Sequence, residues 1–234
     1  MTCDLWYWPD IPGRGEFVRL ALEAGAIAYR DRAREEGAEA LVKDMRLRSV
    51  RGPFAPPYLV EGELCIAQTA NILAFLAEQH SLGPRDPGKR WFANQLQLTI
   101  ADAVTEAHNV HHPVSPSLYY EDQKPASARA AEAFRNERIP KFLRYFETVL
   151  SEGGPWLVGS GWSYVDLSLF QLVEGLRYAF PRRMATLASE LPQTQELSMR
   201  VAKLPELGDY FASKRRIGFN EDGVFRHYPE LDGD

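Results

Sequence analysis

Two adjacent prolines followed by a pair of short apolar runs constrain this chain more than any other stretch. Pro56-Pro57 leads into Tyr58-Leu-Val-Glu61, then Gly62-Glu63, then Leu64-Cys-Ile-Ala67 and Gln68-Thr69. The pattern reads as a strand opening on proline, a tight turn at Glu61-Gly62-Glu63, a second strand, and a helix beginning at Gln68-Thr69. Proline at the start of a strand leaves a row of backbone groups unpaired by its neighbour. A hydroxyl residue where a helix begins presents free N–H groups and the positive dipole end to an anion. The two features together describe a ledge for a short extended peptide whose carboxylate is anchored at a helix N-terminus.

The surrounding pattern extends this into a domain. Leu5 to Trp8 reads as a strand, and Glu16 to Ala24 has helical spacing with Phe17, Leu20, Ala21 and Ala24 on one face and Gly25 as its cap. Ile27 to Arg30 fits a second strand, Glu39 to Leu47 a short amphipathic helix, and Gln68 to Gln79 the helix after the hairpin. The order β-α-β-α-β-β-α is a thioredoxin-like layout, assigned to residues 1–80. Residues 81–88, Ser-Leu-Gly-Pro-Arg-Asp-Pro-Gly, form a linker dense in Pro and Gly. From 89 to 234 the chain reads as all-helical: Lys89–His111, Ser127–Leu150, Ser163–Phe180, Ser189–Lys203 and Pro205–Lys214. Ser163-x-x-Asp166 ahead of an apolar run is a capping-box signature. The fold class expected is therefore α/β plus all-α.

Composition narrows the function classes. A net charge of -5 argues against generic nucleic-acid or anionic-membrane binding. No apolar stretch approaches membrane-spanning length, and the opening residues show no leader-peptide pattern. The two cysteines, Cys3 and Cys65, sit in apolar alternation and read as core residues, with no metal-ligand spacing; a reduced, cytoplasmic setting fits this usage.

Several motifs in this order resemble the cytosolic glutathione S-transferases, nearest the tyrosine-using classes. They are Tyr7-Trp8-Pro9, Gly13-Arg14-Gly15-Glu16-Phe17-Val18-Arg19, Pro57-Tyr-Leu…Gln68-Thr69 and Ser163-x-x-Asp166. The resemblance covers nearly the whole chain. It implies a detoxification transferase with glutathione as co-substrate, no further cofactor, a small hydrophobic electrophile as second substrate, and a homodimer.

By the same resemblance Tyr7 is the catalytic residue, donating a hydrogen bond to the glutathione sulfur. Trp8, Arg14, Pro56, Pro57, Gln68, Thr69 and Asp102 would hold glutathione, with Pro57 cis, Gln68-Thr69 on the γ-glutamyl carboxylate and Asp102 reaching across the dimer interface. The family's usual partners for the glycine carboxylate have no clean match here, which leaves Lys43, Arg46 and Arg48 as candidates. A family glutamine ahead of the strand is replaced by Ala55, and Phe54 resembles an aromatic key for the partner subunit, offset by one residue.

The electrophile pocket is expected between the domains, lined by Trp8, Ile11, His108, His111 and Phe219. The aromatic tail from Phe219 to Tyr228 lacks helical periodicity and either covers that pocket or staples the domains together. His108, His111 and His112 have a spacing that can bring imidazoles together, yet no carboxylate or cysteine accompanies them and Pro113 ends the helix. A pocket wall or helix end is the reading there, and no metal is expected. The competing function is a non-catalytic ligand-binding or interaction protein with the same fold; Tyr7, Gln68 and Thr69 together favour the enzyme.

Overall fold

The computed structural model describes residues 2–48 and 52–233. Strands β1 (Cys3–Trp6), β2 (Tyr29–Asp31), β3 (Tyr58–Glu61) and β4 (Leu64–Ala67) form one sheet in the order β2-β1-β3-β4. β1 runs parallel to β2 and antiparallel to β3, and β3 pairs antiparallel with β4 across the Gly62 turn. That turn needs a positive φ, and Gly62 supplies it at 58°. The peptide bond between Pro56 and Pro57 is cis, as expected.

Helices α1 (Gly15–Ala24) and α4 (Thr69–His80) cover one face of the sheet, bringing Phe17, Leu20, Ile72 and Leu73 onto Leu5 and Leu59. On the other face α2 (Arg32–Glu36) and α3 (Ala38–Leu47) enclose a smaller cluster of Trp6, Ala33, Leu41 and Tyr58. The short α2 departs from the expected order. It is five residues of Arg, Ala and Glu with no apolar period, held by Arg32 to Asp4 at 2.6 Å, a contact that local sequence does not reveal. β1 ends two residues earlier than its apolar run, because Tyr7 leaves the sheet to pack against the loop ahead of α1.

The helical half consists of α5 (Pro87–His111), α6 (Lys124–Ala133), α7 (Ile139–Gly153), α8 (Tyr164–Ala179), α9 (Pro181–Leu187), α10 (Pro192–Ala202), α11 (Pro205–Phe211) and α12 (Pro229–Asp232). α5 takes Pro87 and Gly88 as its first residues, capped by Asp86 accepting from Lys89 N at 2.8 Å, so the linker is shorter than its composition suggests. The expected helix Ser127–Leu150 is instead α6 and α7 joined by a π-helical segment, Phe134–Arg138. Pro140 lacks the N–H that would bond four residues back, which accounts for the bulge.

α8 is buried nearly all round. Its N-terminus is the expected capping box: Asp166 accepts from Ser163 N at 2.8 Å and Ser163 Oγ at 2.7 Å, and also from Leu157 N at 2.8 Å. One apolar core runs unbroken from Leu5 and Phe17 of the sheet half to Ile100, Phe146, Leu169 and Leu172 of the helical half. Among the described residues no helix is long and apolar enough to cross a membrane.

Candidate active site

The loop from Tyr7 to Arg14 is built around the Tyr7 ring. Tyr7 is 4% exposed, and its Oη accepts the backbone N–H of Arg14 at 2.9 Å. A Cβ at position 13 would lie 2.2 Å from that hydroxyl, and one at position 15 would lie 2.5 Å from the ring. Only glycine lets the loop close over the phenol, and Gly13 also holds a φ of 40°. Arg19 lies over the ring with its guanidinium carbon 5.9 Å from the centroid.

This geometry assigns the hydroxyl's roles. One lone pair is occupied by Arg14 N–H, and the phenolic proton remains to be donated elsewhere. Burial raises the Tyr7 pKa, opposed by the Arg14 N–H and by the charges of Arg14 and Arg19. Tyr7 is therefore a neutral donor at physiological pH and not a base.

Arg14, Gln68 and Thr69 come together at one end of a groove of about 900 Å³ between α4 and α5. Gln68 holds the N-cap position of α4 with φ 70° and ψ 120°, and neither it nor Thr69 caps the helix with its side chain. The free N–H groups of the first turn of α4 thus open beside Arg14, an arrangement suited to a carboxylate. Asp102 is exposed on α5 between the groove residues Ala101 and Thr105. Pro57 is buried and Pro56 half-buried at the start of β3, while Trp8 is 38% exposed and Phe54 94%.

Arg48 is engaged by Asp44 at 2.6 and 3.1 Å and stacks over Tyr58, whose hydroxyl bonds the same carboxylate at 2.6 Å. Lys43 and Arg46 instead line a shallow groove on α3 with Glu39 and Leu47. Cys3 is buried as expected, but Cys65 is only half-buried, on the face carrying Arg48 and Asp44.

On the electrophile side, Ile11 and His108 are half-buried and His111 is buried. Burial lowers the His108 pKa to about 4, reinforced by Arg14, and lowers that of His111 to about 3, so both rings are neutral. The tail staples the two halves. Phe219 stacks on Tyr178, Asn220 donates to Asp10 O at 2.8 Å, Val224 O lies 2.9 Å from His111 Nε2, and Tyr228 stacks on Tyr120. Phe225 fills the space a side chain at Gly175 would need, its ring 2.4 Å from that Cβ position.

Comparison with known proteins agrees with this layout. Residues 108–214 match the family model described as the glutathione S-transferase C-terminal domain. A glutathione S-transferase of Plasmodium falciparum is 21% identical over 218 residues, covering 89% of this chain and 95% of that one. Glutathione S-transferase Mu 2 of Mus musculus is 25% identical over 224 residues, covering 92% and 93%. Over nearly its whole length the chain is similar to proteins named glutathione S-transferases. Among solved structures, a Pi-class glutathione S-transferase of Onchocerca volvulus superposes with a TM-score of 0.74 at 19% identity, over 95% of this chain and 99% of the other. The prostaglandin synthase D of Nilaparvata lugens gives 0.72 at 16%, over 93% and 100%.

Local sequence patterns did not reveal a buried ionic network under the site. Glu16 and Arg19, both with no exposure, pair across one turn of α1; Arg19 reaches Asp31 at 2.7 Å, and Arg216 binds Glu16 and, at 2.9 Å, Gln171. The available signal was a pair of opposite charges at i, i+3 inside an otherwise apolar helix face.

Proposed function

We propose that the protein is a tyrosine-using glutathione transferase, converting the thiol of glutathione to thiolate for attack on small apolar electrophiles. The observation that carries this reading is the Tyr7 hydroxyl, whose acceptor side is taken by Arg14 N–H and whose proton is left to donate. Only the thiolate is a good nucleophile. Lowering a thiol pKa by ~2 units requires ~2.7 kcal/mol, and one hydrogen bond to a charged group supplies ~1.5–3 kcal/mol. A single phenol is sufficient without a general base. The thiol proton leaves to solvent. The sulfur forms the new C–S bond as halide is expelled from an aryl halide, or as the ring C–O bond of an epoxide breaks and its oxygen takes a proton from water. Tyr7 stays protonated throughout.

Arg14, Gln68, Thr69 and the start of α4 hold the γ-glutamyl carboxylate, while Pro56 and Pro57 form the ledge for the peptide. The electrophile sits between Trp8, Ile11, His108 and Phe219, with His111 behind them. The active unit is a homodimer that closes the α4–α5 groove, a reading supported by the exposed Trp91 and Leu98 there, and in it Asp102 meets the partner's glutathione. Phe54, almost fully exposed, is the side chain that inserts into the other subunit. The cytoplasm is the matching compartment.

The test is a glutathione-dependent assay against aryl halides, epoxides, enals and hydroperoxides, run with wild type and Tyr7→Phe beside sedimentation of both. Turnover of at least one electrophile class by a dimer, reduced in Tyr7→Phe, is expected. Glutathione binding without turnover of any class would return the chain to the ligand-binding alternative.

A further inference from the structure

The last turn of α5 gathers His108, His111 and His112. Their ring centroids stand 5.0, 5.0 and 4.8 Å apart, and one nitrogen of each lies within 4.8 Å of the others. A backbone carbonyl fixes one tautomer in this cluster. Val224 O is 2.9 Å from His111 Nε2. A carbonyl only accepts, so that nitrogen carries the proton and Nδ1 of His111 holds a free lone pair. His112 Nδ1 lies between Leu118 O at 3.1 Å and Gln123 Nε2 at 3.3 Å, an acceptor and a donor, so either tautomer of His112 finds a partner there.

His111 is 2% exposed, and its Nδ1 is buried with no hydrogen-bond partner among the described residues. Leaving a buried acceptor unsatisfied costs roughly 1–3 kcal/mol. Close packing against the tail explains why the ring is buried, but not why its remaining lone pair has no donor. An imidazole whose N–H is held by a backbone carbonyl is the usual outer-shell arrangement of a metal-bound histidine.

We propose that His108, His111 and His112 form a binding site for an imidazole-preferring transition-metal ion, with Zn²⁺ as the representative ion. His108 and His112, at i and i+4, are the chelating pair, and His111 is the third ligand. Three imidazoles suffice for zinc, so the missing carboxylate or cysteine is no obstacle. Zinc–nitrogen bonds of ~2.0–2.1 Å place tetrahedral ligands ~3.4 Å apart. The cluster must therefore close slightly, through rotation of the half-buried His108 and His112 onto the fixed His111.

The charged groups Arg14 and Arg226 face the cluster. They weaken binding of any dication, and the all-nitrogen ligand set excludes Mg²⁺ and Ca²⁺, which require oxygen ligands. Because Val224 O anchors His111, an ion here ties the end of α5 to the C-terminal segment.

The test uses the full chain, free of any affinity tag and stripped of metal with a chelator. It is titrated with zinc chloride by calorimetry and with Co²⁺ by visible absorbance, and the zinc-dependent shift in Tm is recorded. One ion per chain, a tetrahedral cobalt spectrum and a rise in Tm are expected. His108→Ala and His112→Ala should each weaken zinc binding at least tenfold while keeping the wild-type circular dichroism. Absence of saturable binding at millimolar zinc, or a loss smaller than tenfold in either variant, overturns the three-histidine site. No readout involves glutathione, so failure here is distinct from failure of the transferase reading.

Discussion

Tyr210 donates its phenolic proton to Glu16, joining the last helices of the chain to the first turn of α1. Glu16 in turn pairs with Arg19, and Arg19 carries both the contact to Asp31 and the face of the Tyr7 ring. Breaking a buried pair from one side leaves the other charge uncompensated, at a cost of roughly 3–5 kcal/mol. Arg19→Met is therefore expected to remove roughly 3–5 kcal/mol of unfolding free energy, read as a lower urea midpoint at unchanged m. A midpoint within experimental error of wild type would show that the network is energetically idle.

Tyr7→Phe should leave glutathione affinity nearly intact and raise the pKa of the bound thiol by ~1–2 units, the equivalent of a charged hydrogen bond. The ultraviolet absorbance of the bound thiolate, titrated against pH, reads this directly. Identical titrations in wild type and variant would remove Tyr7 as the activating group.

Gly13→Ala places a methyl 2.2 Å from the Tyr7 hydroxyl. Overpacking of this kind costs about 1–3 kcal/mol, and the left-handed backbone adds strain. Removing the oxygen with Tyr7→Phe should relieve part of the clash, so the double variant is more stable than the sum of the singles by ~1 kcal/mol. Strict additivity in thermal melts would contradict the close approach.

The features legible in the sequence were those set by local chemistry. The Tyr58–Ala67 hairpin and the Ser163–Asp166 cap depend on residues within a few positions of one another, and each stands where the spacing placed it. The features that escaped depend on distant partners. α2 is held by Arg32 reaching Asp4, and Glu16 is matched by Tyr210 and Arg216. The glycines at 13 and 15 were recognised as a motif, but the Tyr7 ring that requires them could be identified only in three dimensions. Gly25 caps α1 in a right-handed conformation, and it is Ala26, at φ 50°, that takes the left-handed turn.

Asp166 supplies a pH dependence. Burial raises its pKa from 3.8 to about 6, outweighing the Leu157, Ser163 and Asp166 hydrogen-bond donors that favour its charged form. A carboxyl with a raised folded pKa stabilises the fold fully below its unfolded pKa, and that contribution is lost as pH rises through the folded value. The stability advantage of wild type over Asp166→Asn should therefore shrink from pH 4 to pH 7, by on the order of 2–3 kcal/mol. Denaturant melts across that range test it; a gap that widens with pH would reverse the assignment.

Pro56 has a carbonyl but no N–H, so it can offer an extended peptide only half of the pairing that another residue would give. Restoring the donor with Pro56→Val should tighten glutathione binding about two- to twelve-fold, the equivalent of one neutral hydrogen bond. The bound thiol's pKa should not move. Calorimetry on both proteins decides the point, since equal or weaker binding in the valine variant would mean that the rigidity of Pro56 is worth more than the missing donor.

The Phe225 ring seated in the Gly175 notch acts as a keyed joint: α8 supplies a hole one side chain deep, and the ring from the C-terminal segment occupies it. Any side chain added at position 175 must evict that ring, so the segment's anchorage can be undone from inside α8 without altering a residue of the segment itself.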